Sequence, residues 1–132
     1  MVPGLISEDM ATTRVLIVDD IPRVREDLRM LLTLVGDIEI VGEAANGLEA
    51  VHQLEVLRPE AILMDLVMPV MDGYAATQRV KALDPACRVI ALTVHGYESA
   101  CQKAMQAGVD AFVVKGAPLD TLLQAIGLQK GL

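Results

Sequence analysis

Two hydrophobic patterns alternate along the chain. Short continuous apolar runs rich in β-branched residues are typical of strands that are buried on both faces of a sheet. Five such segments occur, at Val15–Val18, Ile38–Ala44, Ala61–Met64, Arg88–Leu92 and Ala111–Val114. After each of them comes a helical pattern, in which apolar residues recur every three or four positions as in a helix that packs one face on a sheet, although this stripe is thin after the fourth run. The sequence therefore predicts five strands that alternate with five helices.

Cap and turn residues indicate where these helices begin. Pro22 and Pro118 lie at first-turn positions, and Asn46 with Glu49 resembles a capping pair. The predicted inward-facing residues of the first three helices are Val24, Leu28, Leu31 and Val35; Leu48, Val51, Leu54 and Leu57; and Ala76, Val80 and Leu83. We expect the charged residues on the other face of the first helix to be solvated: Arg23, Arg25, Glu26 and Arg29.

This alternation predicts an α/β fold in which helices cover both faces of a parallel sheet. We predict a three-layer, doubly wound, five-stranded parallel sheet of flavodoxin-like type, with strand order 2-1-3-4-5. Glu39 and Glu43 mark the second strand as an edge strand. Residues 14–128 are predicted to form one domain, with a flexible N-terminal extension at 1–13 and a C-terminal tail or linker start at 129–132.

Composition removes several classes of function. With 53% hydrophobic residues among 132, the chain can form a substantial core. A net charge of -7, a single Phe and no Trp argue against direct nucleic-acid or membrane binding. The N-terminal residues lack a signal-peptide pattern, so we expect a cytoplasmic protein. Cys87 and Cys101 are expected to be buried free thiols, because they share no metal-ligand spacing with His52 or His95.

Polar residues follow four of the predicted strands. The first strand is followed by Asp19 and Asp20, the third by Asp65, the fourth ends at Thr93 and the fifth is followed by Lys115. In an open α/β sheet, the binding crevice lies beyond the carboxyl ends of the strands, where strand order reverses. Carboxylates that meet there repel one another unless a cation binds, and hard oxygen ligands favour Mg²⁺.

A carboxylate at such a site can accept a phosphoryl group as an aspartyl phosphate, and Asp65 is the candidate nucleophile. The acceptor needs donors and positive charge around the phosphoryl oxygens. Thr93 offers a hydroxyl donor and Lys115 a compact positive charge. Any one of these residues would more commonly be a turn former or a solvated side chain, so the prediction depends on their combination.

The same residues resemble the receiver domain of two-component response regulators. The resemblance covers residues 14–128 and depends on Asp19-Asp20, the segment Met64–Gly73, Thr93 and Lys115. The segments Val41–Gly47 and Ala107–Phe112 are most similar to regulators whose receiver precedes a helix-turn-helix effector.

This resemblance implies a role for each residue. Asp65 would take a phosphoryl group from a phosphohistidine on a sensor histidine kinase, and Thr93 and Lys115 would bind the phosphoryl oxygens. Phe112 would be the switch aromatic, changing rotamer as Thr93 moves. The Mg²⁺ ligands would be Asp20, Asp65 and the backbone carbonyl of Val67, with Asp19 acting through water.

The resemblance also implies a signalling protein and not an enzyme with a separate substrate. Such a receiver assists its own phosphorylation and dephosphorylation, forms a homodimer when phosphorylated, and controls transcription through an effector outside this chain. Dimerisation through the fourth and fifth helices, or through the first and fifth, is a hypothesis at this point. Val94, after Thr93, is bulkier than the small residue usual in the family, which predicts slower access of phosphoryl donors to Asp65.

Two alternatives stay open. A receiver-like module could act without phosphorylation, for instance as a constitutive dimer, although the complete set of acids, Thr93 and Lys115 favours phosphorylation. A haloacid-dehalogenase-like phosphatase also uses Asp, Thr, Lys and Mg²⁺ on a parallel sheet. That family has an Asp-x-Asp motif after its first strand, whereas Asp19 and Asp20 are adjacent and the candidate acceptor, Asp65, follows the third strand.

Overall fold

The computed structural model describes residues 12–127, which form a five-stranded sheet with a helix after each strand. The strands are β1 (Thr13–Val18), β2 (Ile38–Ala44), β3 (Ala61–Met64), β4 (Arg88–Thr93) and β5 (Ala111–Val114). The helices are α1 (Pro22–Thr33), α2 (Gly47–Leu57), α3 (Gly73–Leu83), α4 (Glu98–Ala107) and α5 (Leu119–Ile126).

The predicted extension and tail fall mostly outside this range. Residues 1–11 and 128–132 lie outside the described residues, so a flexible extension and a tail or linker there stay predictions. Thr13, assigned to the extension, is the first residue of β1. In the described range the longest helix has 12 residues, and none has the length and hydropathy needed to cross a membrane.

The sheet has the predicted architecture. Its strands are all parallel and follow the order β2-β1-β3-β4-β5, with β2 at an edge. At the carboxyl end, Val18 of β1 is level with Met64 of β3, and Met64 is level with Ala91 of β4. The residues that follow these strands therefore meet along one edge of the sheet.

Alternate residues of each strand pack on opposite sides of the sheet. In β1, Leu16 and Val18 join the apolar cluster under α2, α3 and α4, whereas Val15 and Ile17 join the cluster under α1 and α5. Every residue of β3 is buried. Both faces of the central strands need apolar side chains, which explains why these strands are continuous apolar runs and not alternating ones.

Three leucines predicted to face inward are exposed instead. Leu31 in α1 is 40% exposed, and the residue buried in that turn is Leu32, four positions after Leu28. Leu48, in the first turn of α2, is 38% exposed, and Leu83, the last residue of α3, is 48% exposed. In α2 and α3 the buried faces also use small residues such as Ala50 and Thr77, whereas in α1 the inward position is shifted by one residue, from Leu31 to Leu32.

The predicted helix starts are accurate to about one residue. Asn46 caps α2 by accepting a 2.9 Å hydrogen bond from the backbone N–H of Glu49, as the capping pair predicts. The Glu49 carboxylate in turn accepts a 2.8 Å hydrogen bond from the N–H of Ala45, one residue before the cap. Pro118 immediately precedes α5, which begins at Leu119, one residue later than predicted.

The two cysteines differ in environment. Cys87 is 2% exposed, and burial, reinforced by the charge of Asp84, raises the pKa of its thiol to about 12. Cys101 on α4 is only partly buried, so the prediction of a buried thiol is wrong for this residue. The buried face of α4 is formed by Ala104 and Ala107, and Cys101 lies at its margin.

Candidate functional site

Four strands bring polar residues to the carboxyl edge of the sheet. Asp19 follows β1, Asp65 follows β3, Thr93 is the last residue of β4 and Lys115 follows β5. Because β3 lies between β1 and β4, Asp65 is at the centre of this group. The predicted convergence of residues from distant parts of the chain is therefore present in the fold.

The carboxylates of Asp19, Asp20 and Asp65 form a compact cluster. One oxygen from each lies within 4.8 Å of the other two. Asp19 is 1% exposed and Asp65 is 7% exposed, so neither is a freely solvated surface acid. Hard oxygen donors at this spacing fit a small divalent cation such as Mg²⁺, which neutralises neighbouring carboxylates and keeps waters in its remaining positions.

The carboxyl group of Asp65 has a perturbed pKa. Burial is the main reason that its pKa is raised to about 6, and the negative charge of Asp19 adds to the effect. The positive charge of Lys115 and a 2.9 Å hydrogen bond from the N–H of Leu66 act in the opposite direction. This environment disfavours the ionised carboxylate, which is the form that a nucleophile requires. A bound cation would stabilise that ionised form.

Lys115 lies between two of the acids. Its Nζ is 2.6 Å from Oδ2 of Asp19 and 3.7 Å from Oδ1 of Asp65, and its side chain is 18% exposed. The other Asp19 oxygen, Oδ1, accepts a 2.9 Å hydrogen bond from the N–H of Ile21. Asp19 is thus held at both carboxylate oxygens, and it holds the ammonium group of Lys115 beside Asp65.

Thr93 lies on the side of Asp65 opposite Asp19 and Asp20, because β4 and β1 flank β3. Only 5% of its surface is exposed. Its Oγ1 accepts a hydrogen bond from the backbone N–H of His95, and at 3.3 Å this bond is long. The His95 ring stacks on Tyr97, with ring centroids 5.3 Å apart. The hydroxyl can therefore leave its present partner at little cost in free energy.

The remaining residues implied by the resemblance lie on the loops after β3 and β4 and on β5. Val94, directly after Thr93, is 62% exposed, and Val67, two residues after Asp65, is 72% exposed. Phe112 on β5 is partly buried and packs against the apolar cluster under α2, α3 and α4. Its position beside β4 puts it next to the strand that ends at Thr93.

The loop between β3 and α3 contains an unexpected backbone conformation. Val70 has φ 68°, in the left-handed region that β-branched residues avoid. The N–H of Met71 donates a 2.7 Å hydrogen bond to the carbonyl of Pro69, so residues 69–71 form a tight γ-turn around Val70. Nothing in the sequence indicated this strain, because valine is among the residues least suited to the position.

Two glycines let this loop pack closely. A side chain at Gly73 would collide with the backbone carbonyl of Asp65, and the Gly73 N–H donates a 3.0 Å hydrogen bond to the carbonyl of Leu66. A Cβ at Gly47 would lie 2.6 Å from the carbonyl of Met71, which accepts a 2.8 Å hydrogen bond from the Gly47 N–H. The loop that carries Asp65 is therefore fixed to the starts of α2 and α3.

Sequence reasoning missed Arg25 and Glu43. Arg25 was expected to be solvated, but its side chain is 18% exposed and bonds to Glu43 on β2 and to the backbone of Asp19. Glu43 also accepts a 2.6 Å hydrogen bond from Arg29, and this bond, followed by that of Arg25, lowers the pKa of Glu43 against the effect of burial. The sequence contained one signal for this pair. Glu43 is an acid on a predicted edge strand, and such an acid needs a charged partner when its side chain is partly buried.

Comparison with known proteins identifies the family. The family model of the response regulator receiver domain matches residues 15–127. The chain belongs to the response regulator receiver family. This finding confirms the resemblance inferred from the acids, Thr93 and Lys115.

Two relatives that match most of the chain are response regulators, and one of them is of the LuxR family. The response regulator protein VraR of Staphylococcus aureus is 38% identical over 115 residues, which are 87% of this chain and 55% of VraR. A two-component response regulator of the LuxR family from Aurantimonas sp. superimposes with a TM-score of 0.83 at 34% identity, covering 88% of this chain and 83% of that one. The chain thus spans about half the length of its VraR relative.

A third relative carries ligands. The complex of CheX and CheY with BeF₃ and Mg²⁺ from Borrelia burgdorferi gives a TM-score of 0.82 at 27% identity, covering 91% of this chain and 90% of that one. The shared architecture confirms the predicted fold class and strand order.

Proposed function

We propose that this receiver accepts a phosphoryl group on Asp65 from a phosphohistidine of a sensor histidine kinase. One observation carries the proposal: the Asp65 carboxylate lies within 4.8 Å of the acids of Asp19 and Asp20 and 3.7 Å from the ammonium group of Lys115. An acid placed among other acids with one cation beside it is poorly suited to a structural role. It is well suited to an incoming group whose charge needs both a cation and a fixed donor.

In the proposed transfer, a carboxylate oxygen of Asp65 forms a bond to phosphorus while the bond between phosphorus and the donor imidazole nitrogen breaks. The imidazole nitrogen keeps the electron pair of that bond, and the ring leaves as neutral histidine after any proton adjustment with solvent. The Thr93 hydroxyl and the Lys115 ammonium group donate hydrogen bonds to the phosphoryl oxygens. Lys115 already lies at the site, so only a small movement of its Nζ is required.

We further propose that Mg²⁺ binds at this edge, held by Asp20, Asp65 and the backbone carbonyl of Val67, with Asp19 acting through water. When bound, the ion supplies positive charge that offsets the carboxylates and the phosphoryl oxygens. The tight cluster of oxygen donors and the BeF₃ and Mg²⁺ named for the CheY relative support this assignment. Asp19 also has a separate task, because it anchors the Lys115 ammonium group.

The proposed output is a change of surface. A phosphoryl group carries about 1.5 to 2 negative charges at neutral pH, which attract the Thr93 hydroxyl away from its 3.3 Å bond to His95. Phe112 then follows by a change of rotamer. A phosphorylated homodimer and control of transcription, through an effector outside this chain, complete the proposal, in line with the LuxR-family relatives.

In this proposal residues 14–128 are the signalling domain of a cytoplasmic protein. It assists its own phosphorylation and dephosphorylation and has no separate substrate. The domain itself contacts neither nucleic acid nor membrane, in keeping with its net charge of -7.

The test is incubation with acetyl phosphate and Mg²⁺, followed by intact mass measurement. We expect the wild type to gain one phosphoryl mass and Asp65→Asn to gain none. Asp72→Asn is the matched control, because it changes an acid in the same loop and leaves an amide that can still cap α3. Failure of the wild type to gain mass, or equal labelling of Asp65→Asn, would contradict the proposal.

The same reaction separates the two alternatives. Steady release of phosphate over many turnovers from a phosphate ester, offered in place of acetyl phosphate, would favour a phosphatase. A dimer that is present before phosphorylation, together with an unlabelled Asp65, would favour an interaction module. Light scattering with and without BeF₃ measures association and completes the distinction.

A further inference from the structure

Arg25 connects three elements beside the acid cluster. From α1, its NH1 group donates a 2.7 Å hydrogen bond to the backbone carbonyl of Asp19, and its Nε donates a 3.1 Å hydrogen bond to Glu43 on β2. The side chain is 18% exposed. A guanidinium group held at two points by partners on different elements keeps a fixed position. Arg25 therefore fixes the end of β1 relative to the edge strand.

The carbonyl that Arg25 holds belongs to the peptide bond between Asp19 and Asp20. Because a peptide group is planar, fixing its oxygen also fixes the direction in which the chain enters Asp20. The Asp19 side chain has its own anchors, Ile21 and Lys115. Within residues 12–127 no side-chain hydrogen bond anchors the carboxylate of Asp20, which is partly exposed. The direction of Asp20 therefore depends on the backbone that Arg25 holds.

We infer that Arg25 is a positioning residue for Mg²⁺ binding. It acts on Asp20 through the carbonyl of Asp19, and Glu43 holds its guanidinium group in place. The inference rests on the Mg²⁺ site proposed above. Groups that orient metal ligands without touching the metal typically change metal affinity by about 10- to 100-fold when they are removed.

Arg29 provides a matched control. It also donates to the Glu43 carboxylate, through a 2.6 Å hydrogen bond, but its side chain is 44% exposed and its contact does not extend to Asp19. Arg25→Ala and Arg29→Ala therefore remove the same charge and one ion pair with the same acid. They differ in the bond to the Asp19 carbonyl, which only Arg25 makes.

The direction of the change in Mg²⁺ affinity distinguishes a positioning role of Arg25 from an effect of its charge alone. Removing a positive charge near a cluster of acids leaves more negative potential there, so by Coulomb attraction alone Mg²⁺ would bind more tightly to Arg25→Ala. Loss of positioning has the opposite effect, because Asp20 is no longer directed at the ion. Weaker binding by Arg25→Ala therefore indicates that the hydrogen bond to the Asp19 carbonyl matters more than the charge.

The experiment is isothermal titration of Mg²⁺ into the wild-type chain, Arg25→Ala and Arg29→Ala, with far-UV circular dichroism to verify folding. We expect the Kd for Mg²⁺ to rise about 10-fold in Arg25→Ala and to change less than about 2-fold in Arg29→Ala. We also expect the rate of labelling by acetyl phosphate in Arg25→Ala to return to within about 2-fold of the wild type when Mg²⁺ is raised to saturation.

An unchanged or lower Kd in Arg25→Ala overturns the inference, and so does an equal rise in Arg29→Ala. If Arg25→Ala does not fold, Glu43→Met replaces it, since this change removes the carboxylate that accepts the hydrogen bond from Arg25 and keeps the length of the side chain. A rise of about 3-fold in its Kd supports the inference, and no rise overturns it. Failure of the wild type to bind Mg²⁺ removes the proposed metal site itself, a result distinct from an Arg25 variant that binds like the wild type.

Discussion

The centre of β3 and its carboxyl end differ completely over a single peptide bond. Ile62, Leu63 and Met64 are at most 1% exposed and pack among apolar side chains on both faces of the sheet. The next residue, Asp65, is 7% exposed, and its pKa is raised to about 6, chiefly by burial. Apolar burial stabilises the fold, whereas burial of an ionised acid opposes it.

The domain concentrates its unfavourable groups at one edge of the sheet. The clustered acids and the left-handed Val70 lie within a few residues of the ends of β1 and β3. The central strands supply the stability that holds these groups in place. Changes in the core should therefore destabilise the domain, and selected changes at the edge should stabilise it.

The largest effect is expected in the core. Leu63→Ala leaves a cavity at a site that is 1% exposed, and we expect the free energy of unfolding to fall by about 3 kcal/mol. Urea denaturation followed by circular dichroism measures this change. Leu34→Ala, at a site that is 80% exposed, is the control and should change stability by less than about 0.5 kcal/mol. Equal losses in the two variants would contradict the assignment of the core.

At the edge, Asp65→Asn should stabilise the domain by up to about 3 kcal/mol at pH 7 in Mg²⁺-free buffer. In the unfolded chain this carboxyl group has its ordinary pKa of 3.8, and in the folded chain a pKa of about 6. The folded state therefore binds the proton more tightly, and the wild type loses stability as pH rises from about 4 to about 6. The neutral amide avoids this loss.

The extra stability of Asp65→Asn over the wild type should accordingly be full above pH 6 and disappear towards pH 4. Urea denaturation at several pH values measures it. Asp120→Asn, at an exposed position on α5, is the control and should show no such dependence. A pH-independent gain in Asp65→Asn would mean that burial of its charge does not cause the instability.

A smaller gain is expected from Val70→Gly. Glycine adopts the left-handed conformation without the steric cost that valine meets at φ 68°. The free energy of unfolding, measured by thermal denaturation, should therefore increase by about 1 kcal/mol. Val67→Gly, in the same loop and 72% exposed, has no left-handed backbone to relieve and should lower stability. Stabilisation by both changes would show that the strain does not reside at Val70.

The smallest effect concerns access to Asp65. Val94 is 62% exposed on the loop after Thr93, and Val94→Ala should raise the rate of labelling by acetyl phosphate about 3-fold, equivalent to less than 1 kcal/mol. Val56→Ala, at a 79% exposed site on α2, should leave the rate unchanged. An unchanged rate in Val94→Ala would mean that its side chain points away from the path of the donor.

The strands and the acids could be predicted from sequence because each depends on a local pattern. A strand buried on both faces must be a continuous apolar run, and a polar residue directly after it must lie at the sheet edge. β2, β3 and β5 accordingly have the predicted bounds, and Asp65, Thr93 and Lys115 lie where the pattern put them.

The features that escaped prediction have three different physical causes. Arg25 was assigned to the solvated face of α1 by helical spacing, and its partner Glu43 lies 18 residues away on a strand that only the folded sheet brings near. Leu32 was passed over for Leu31 because spacing leaves the facing of a helix uncertain by a fraction of a turn. Val70 contradicts its own conformational preference, so no preference could have indicated it.

The close approach at Gly73 has a consequence for mutational screens. A methyl group there would press on the backbone carbonyl of Asp65, so even alanine must displace the residue proposed to accept the phosphoryl group. A screen that scores signalling alone would rank Gly73 with the reactive residues, although it has no side chain to offer them. Gly73 contributes by lacking a side chain where the backbone of Asp65 approaches. Only a parallel measurement of abundance or folding would distinguish this steric role from a role in the phosphoryl transfer.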